Sequence, residues 1–181
     1  MTIADAQLEV RSTYLGGFVG QLVSGVLWLV SCGLSVWLSN RAGMTVFVFG
    51  GMFIFPLTQI VLRLMGRPAS LSPENPFREL AIEVAFVMPL LLPLVGAAAL
   101  HRADWFYPAA AVAVGAHYLP FAFVYGMRMF IPLCAILVTT ETAIGLYAPA
   151  EGVYAGWIAA ATMILFAFLG RRAAVQDRQA D

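Results

Sequence analysis

Residues 133–144 read LCAILVTTETAI and place one carboxylate, Glu141, near the middle of a long apolar stretch. An acidic residue at the centre of a membrane helix costs about 3 kcal/mol on insertion scales, so it usually has a partner, a bound proton or ion, or a water-filled cavity around it. The stretch therefore indicates a membrane-spanning helix with a polar interior face. It names neither the partner nor a substrate.

The composition of the whole chain indicates the same class of protein. Of the 181 residues, 61% are hydrophobic and 11% are charged, which is typical of an integral membrane protein. Ten arginines balance ten acidic residues and there is no lysine, so the chain lacks the basic stripe that nucleic-acid binding needs. We expect contact with the lipid bilayer and none with nucleic acid.

Six apolar segments are long enough to cross a bilayer, because about 30 Å of hydrocarbon requires about 20 helical residues. They are residues 14–39, 44–64, 80–100, 105–126, 129–148 and 152–170. We predict an all-α polytopic membrane protein in which residues 14–170 form a single six-helix transmembrane domain. Residues 1–13 precede this domain and residues 171–181 form a tail. A re-entrant hairpin over residues 105–148 is the alternative to two full spans.

The arginines predict the orientation, because cytoplasmic loops carry an excess of basic residues. With the N-terminus inside, eight of the ten arginines lie on the cytoplasmic side, and only Arg41 and Arg102 lie outside. Both termini are therefore predicted to be cytoplasmic. Four aromatic residues then fall at the outer ends of spans, as in an aromatic belt: Trp105, Tyr107, Tyr147 and Tyr154.

The amino-acid usage favours a bacterial source, since the chain is rich in alanine and uses arginine as its only long basic residue. We accordingly expect the protein in the bacterial cytoplasmic (inner) membrane. The first thirteen residues lack the basic start and cleavage pattern of a signal peptide. The first span is thus expected to stay attached.

Two ionisable residues are predicted to lie near the bilayer midplane on adjacent spans. His117 is about twelve residues into the fourth span and Glu141 about twelve residues into the fifth, so the two are predicted neighbours. Tyr118 and Thr140 add hydroxyl groups beside them. A Glu/His pair can share or relay a proton. The structural alternative is a neutral Glu141 bonded across helices and a satisfied interior imidazole.

A second polar layer is predicted near the cytoplasmic ends of the spans. It comprises Gln21, Gln59, Arg63 and Glu83, each within roughly two turns of the inner end of its span. Since Arg63 can reach Glu83 or Glu79, we interpret the layer as an ion-pair cluster on the floor of a vestibule. The alternative is a set of interfacial side chains that extend to water and pair loosely.

Small residues recur on one face of the first span, at Gly16, Gly20, Ser24, Ser31, Ser35 and Ser39. Such faces let helix backbones approach closely, so we predict a helix-packing face at Gly16, Gly20 and Ser24. The sixth span has a similar face at Gly152 and Gly156. These faces could form a contact between the first and last spans of one chain or an interface between two copies of the chain, and their spacing fits both alternatives.

Known catalytic signatures are absent from the sequence: it has no zinc-protease helix, nucleophile elbow, Walker loop or Cys-x-x-Cys pair. We therefore predict no enzyme activity, no metal site and no cofactor. Two classes of function are open. The first is binding or passage of a small solute or ion, with proton linkage through Glu141 and His117. The second is a non-catalytic accessory or structural subunit, acting with a membrane partner or as a homo-oligomer.

Overall fold

The computed structural model describes residues 1–148 and 152–180, and this part of the chain is helical with no β-strand. Its helices are α1 (Ile3–Tyr14), α2 (Phe18–Trp37), α3 (Asn40–Gly51), α4 (Ile54–Leu64), α5 (Phe77–His101), α6 (Phe106–Tyr118), α7 (Phe121–Val124), α8 (Phe130–Tyr147) and α9 (Gly152–Ala180). The predicted all-α class is confirmed.

Within the described residues, five helical stretches are long and apolar enough to cross a membrane: Ile3–Trp37, Phe77–His101, Ala103–Val124, Phe130–Tyr147 and Gly152–Gln176. The α3 and α4 helices form a sixth span only as a pair, bent by 59°. Separately they cover about 16–18 Å, which is too short for about 30 Å of hydrocarbon. The chain is an integral membrane protein built as a multi-span helical bundle.

A left-handed turn separates α1 from α2. Leu15, Gly16 and Gly17 have φ values of 52°, 64° and 84°, a region that glycine adopts without the steric cost of a side chain. The chain therefore changes direction here, and α1 leaves the axis of α2. The apolar face of α1 packs against the loop before α5 and against α7, in a cluster of Ala6, Val10, Leu71, Phe77 and Val124.

The α2 helix lies at the centre of the bundle, where it packs against α3, α4 and α9. The contact with α9 is antiparallel and close. A Cβ atom at Gly16 would overlap the backbone of Gly170, and one at Gly156 would overlap Cys32 Sγ. Because Gly16 and Gly156 carry no side chain at these points, α2 and α9 approach closely within one chain.

The predicted packing face divides between two helices. Gly16 lies against α9, and Ser24 Oγ lies 3.6 Å from Met163 Sδ of α9. Gly20 faces α4 instead, where a Cβ would lie 3.8 Å from Thr58 Oγ1. The face is thus used inside the bundle.

The α5 helix lies at the edge of the bundle and packs mainly against α6. Only 11% of the most apolar stretch of α5 is buried, and Leu90 is 76% exposed. Large apolar side chains that project outward along a membrane helix are solvated by lipid tails. The α5 helix therefore presents most of its surface to the bilayer.

Candidate functional site around Glu141

Glu141 lies on α8 at the centre of the packed helices. Its side chain is 0% exposed, and neither carboxylate oxygen has a hydrogen-bond partner among residues 1–148 and 152–176. Burying an ionised carboxylate without a partner is far more costly than burying the neutral acid. The surroundings of Glu141 therefore favour any species that neutralises its charge.

Two glycines show how α8 is aligned with its antiparallel neighbour α6. Gly115 lies opposite Leu137 and Val138, and Gly145 lies opposite Pro108. In each case the missing side chain lets the other helix approach, so these contacts fix the relative position of the two helices. This alignment determines which residues of α6 share the depth of Glu141.

The alignment separates the two residues that the sequence predicted to be neighbours. Glu141 is level with Ala111 and Val112 of α6, whereas His117 lies about 8 Å further along that helix at 1.5 Å per residue. In the described part of the chain, no hydrogen bond or ion pair joins Glu141 to His117. The predicted Glu/His pair is not formed, because counting residues into each span ignored the alignment of the two helices.

His117 faces α5. Its imidazole packs edge-on against Phe121, with 5.0 Å between ring centroids, and it interacts with the backbone of Val84. Its Nδ1 has no hydrogen-bond partner among the described residues. His117 thus belongs to the contact between α5 and α6 rather than to the surroundings of Glu141.

The hydroxyl groups predicted beside the pair lie elsewhere as well. The Tyr118 hydroxyl is 3.8 Å from Met163 Sδ, toward the same end of α6 as His117. Thr140 is half-buried on α8 and does not bond the carboxylate of Glu141. Neither residue completes the hydrogen bonds of Glu141.

A buried thiol, that of Cys32 on α2, lies between the helices near the level of Tyr107. Cys32 is fully buried, lies within electrostatic range of Glu141, and contacts the hydroxyl of Tyr107. The thiol therefore belongs with a set of hydroxyl groups on neighbouring helices. We call Ser31, Cys32, Ser35 and Tyr107 the Tyr107 cluster.

The hydroxyl of Tyr107 joins three helices. It lies 2.6 Å from Ser35 Oγ and 2.8 Å from Ser31 Oγ, both on α2, and Ser31 donates to the carbonyl of Gly43 on α3 at 2.9 Å. A serine has one hydroxyl proton. Because Ser31 gives its proton to Gly43, Tyr107 must donate to Ser31, and Ser35 must donate to Tyr107. The direction of these three hydrogen bonds is thereby fixed.

A cleft of about 70 Å³ adjoins the Tyr107 cluster. It is lined by Asn40, Met44, Ala103, Asp104, Tyr107, Gly152 and Val153. This volume is large enough to hold water molecules. Tyr107 lines the cleft and also contacts Cys32, and it lies about one helical turn along α6 from Ala111, which is level with Glu141.

The predicted ion-pair cluster near the inner face is not formed. Arg63 and Glu83 are both exposed, and among the described residues neither Glu83 nor Glu79 forms an ion pair with Arg63. The reason is topological: α4 packs against α2, whereas α5 packs against α6. The two charged side chains therefore lie on helices that do not share a contact face.

The two glutamines of that layer differ in their surroundings. Gln59 is half-buried on α4. Gln21 is only 2% exposed, and both polar atoms of its amide lack partners among the described residues. Gln21 is therefore a buried, unpartnered amide near the N-terminal end of α2, whereas the Tyr107 cluster lies near the C-terminal end of that helix.

The sequence does not identify the residues of the Tyr107 cluster as a site. It places Tyr107 in an aromatic belt, yet Tyr107 is 3% exposed while Tyr147 is 85% exposed. It places Ser31 and Ser35 on a packing face, and both do lie between helices. The available signal was that Ser31 and Ser35 are four residues apart with Cys32 between them, which places three hydrogen-bonding groups on neighbouring positions of one helix.

One protein family matches almost the whole chain. Its model, described as a family of unknown function (DUF7010), matches residues 3–172. A comparison with curated proteins finds no match, and a comparison with solved structures finds none. The family match carries no activity over to the chain.

Proposed function

Because the chain belongs to DUF7010, a family whose function is unknown, we propose a function from its own residues: it binds a proton at Glu141 and carries it, alone or with a small solute, across a membrane. The membrane is the bacterial cytoplasmic membrane, with both termini of the chain inside. This assignment uses the arginine distribution and the apolar helices.

The observation that carries the proposal is the complete burial of Glu141 with both oxygens unpartnered in the described part of the chain. A glutamate with a purely structural role in a membrane helix is expected to bond across to a neighbour. Among the described residues, Glu141 makes no such bond. Ionisable residues inside membrane spans are rare and mark ion or proton pathways.

The charge of the site supports a proton as the ligand. One carboxylate neutralises one positive charge, so a divalent ion would leave a net charge in the bilayer interior. A metal cation also needs several oxygen ligands, whereas no group of three or more His, Cys, Asp or Glu side chains that could hold a metal ion occurs among the described residues. A proton needs no ligands besides the carboxylate itself.

Carbodiimide labelling tests this site. Dicyclohexylcarbodiimide enters bilayers and attacks protonated carboxyl groups in apolar surroundings. We expect mass spectrometry of the treated protein to locate the adduct on Glu141, with a yield that falls as the pH rises. Glu141→Gln should lose the adduct, and Glu83→Gln, which changes an exposed carboxylate, should keep it. A protein that is never modified at Glu141 over this pH range would refute the proposal.

A measurement of proton flux tests whether Glu141 carries protons across the membrane. Wild type and Glu141→Gln are reconstituted into vesicles that contain a pH-sensitive dye, and an acid pulse is applied outside. We expect the wild type to carry protons and the folded variant to carry few. Equal flux through both proteins would remove Glu141 from the mechanism and favour the accessory-subunit function, for which a stoichiometric partner should then be recovered in mild detergent.

A further inference from the structure

We propose that Tyr107 gates the access of protons to Glu141, and that this access opens at the end of the bundle that carries Asp104. The inference rests on the proposed function, since it describes how a proton reaches the carboxylate. Three observations support it: the cleft, the contacts of the Tyr107 hydroxyl, and the packing at the opposite end of α6.

The cleft supplies the outer part of the access path. Asn40 at the start of α3, Gly152 at the start of α9 and Asp104 in the turn before α6 all line it. The N-termini of helices carry partial positive charge and stabilise a nearby anion, so the carboxylate of Asp104 suits this position. Asp104 is partly exposed and lies 4.0 Å from Arg102. A proton acceptor that contacts water thus stands at the mouth of the cleft.

Tyr107 closes the inner end of the cleft. Its ring packs beside Gly156, where a Cβ would lie 2.9 Å from Tyr107 Cδ1 and would overlap Cys32 Sγ. The glycine therefore lets the ring and the thiol lie side by side. Cys32 in turn lies within electrostatic range of Glu141. Glu141 is level with Ala111 and Val112, about one helical turn along α6 from Tyr107. The order from water to the carboxylate is therefore the cleft, Tyr107 with Cys32 beside it, and then Glu141.

The hydrogen bonds of Tyr107 make it a reversible closure. Its hydroxyl accepts from Ser35 and donates to Ser31, and both bonds must break for the ring to leave its position. Breaking two buried hydrogen bonds is unfavourable, so the open arrangement is a minor state of an equilibrium. A change in the Tyr107 hydroxyl alone should increase that state.

The opposite end of α6 is filled. The rings of Tyr118, Phe121, Tyr125 and Phe130 pack on one another, with centroid distances of 5.1–6.1 Å. The only histidine of α6, His117, borders this packing and faces α5. Access from this end would require several rings to move together. The Asp104 end requires the movement of one side chain.

Cys32 is a native reporter of this path. The chain has two cysteines, so Cys134→Ser leaves Cys32 as its sole thiol. In reconstituted vesicles, a membrane-impermeant cationic methanethiosulfonate is added from one side. We expect Tyr107→Ala to raise the rate of Cys32 modification about tenfold or more, because reactivity of a thiol follows its exposure. Tyr118→Ala, which makes the same change at the other end of α6, should not raise it.

The direction of access is measured with a reference variant. Asp104→Cys in a chain with both native cysteines replaced by serine reports the side on which Asp104 lies. We expect Cys32 in the Tyr107→Ala protein to react only from that side. Reaction from the opposite side, or a larger effect of Tyr118→Ala than of Tyr107→Ala, would overturn the proposal.

A second variant keeps the test decisive if Tyr107→Ala does not fold. Tyr107→Phe preserves the ring and removes only the hydroxyl, so we expect a smaller rise in Cys32 reactivity from the same side. Carbodiimide labelling of Glu141 in these proteins separates the two proposals. Labelled Glu141 with unreactive Cys32 in both Tyr107 variants would overturn the gate alone, whereas reactive Cys32 with unlabelled Glu141 would overturn the proposed function.

Discussion

The carboxylate of Glu9 accepts a hydrogen bond of 2.6 Å from the backbone N–H of Ser72, 63 residues further along the chain. It also accepts bonds from Ser72 Oγ at 3.0 Å and from Asn75 Nδ2 at 2.9 Å. Asn75 Oδ1 accepts from the backbone N–H of Phe77, the first residue of α5. Glu9 therefore fastens α1 to the loop that starts α5.

Replacement of Glu9 by Gln should destabilise the protein at neutral pH. Burial acts to raise the pKa of Glu9, but the hydrogen bonds from Ser72 and Asn75 outweigh it and hold that pKa below its ordinary value. A lowered pKa adds stability above the ordinary value and loses it as the pH falls through the folded value. We expect a loss of about 1–2 kcal/mol at neutral pH, which shrinks in acid, in unfolding measured in mild detergent.

The matched control for this prediction is Glu74→Gln, an exposed carboxylate in the same loop. We expect it to leave the stability within about 0.5 kcal/mol of wild type. If Glu9→Gln and Glu74→Gln shift the midpoint equally at neutral pH, the fastening role of Glu9 is wrong.

Tyr107→Phe should destabilise the bundle by about 1–3 kcal/mol, because it leaves Ser35 without its acceptor and Ser31 without its donor. A double variant with Ser35→Ala should lose less than the sum of the single losses, since both changes remove the same hydrogen bond. Chemical unfolding of the four proteins gives the coupling. As a control, Tyr154→Phe removes an exposed hydroxyl and should leave the free energy of unfolding unchanged. If the losses from Tyr107→Phe and Ser35→Ala are fully additive in the double variant, the hydrogen bond between the two residues is contradicted.

Gly156→Ala should weaken the contact between α2 and α9 by about 1–3 kcal/mol, because the added methyl overlaps Cys32 Sγ. Cys32→Ala makes room, so the double variant should recover part of the loss. Gly96→Ala on α5, where a Cβ meets nothing within 4 Å, is the control and should not destabilise. Thermal unfolding decides the matter, and a Gly156→Ala protein as stable as wild type would show that the two helices do not approach so closely.

Arg63→Ala and Glu83→Ala should be energetically independent. The two side chains are exposed and their helices pack on different partners. Independent sites add within about 0.5 kcal/mol, so the double-variant unfolding free energy should equal the sum of the single effects. A coupling free energy larger than that margin would show that the ion pair predicted from the sequence does form.

The class of fold could be predicted from the sequence because hydropathy reports contact with lipid. Lipid-facing residues need only be apolar, and the predicted span 80–100 falls inside α5 for that reason. Hydropathy did not predict the bend between α3 and α4. Over residues 44–64 the sequence is apolar on both sides of the bend, so composition alone gave one span.

The candidate site depended on information that is not local. Glu141 stands out in any apolar window, since its charge is costly there. Its neighbours depend on the position of α6 along the axis of α8. Gly115 and Gly145 determine this position through their contacts with the facing helix. Such contacts cannot be counted from the ends of a span. The prediction therefore paired Glu141 with His117, which lies about 8 Å further along α6.

The contact between α2 and α9 has a consequence for biosynthesis. The two helices lie far apart in the chain, yet they approach closely at Gly16, Gly156 and Gly170. Until α9 has been synthesised, the face of α2 that carries Ser24 and Cys32 lacks the helix that covers it in the folded bundle. The helices made before α9 must therefore be held in the membrane as an open set, and the bundle closes around α2 only after α9 has been inserted.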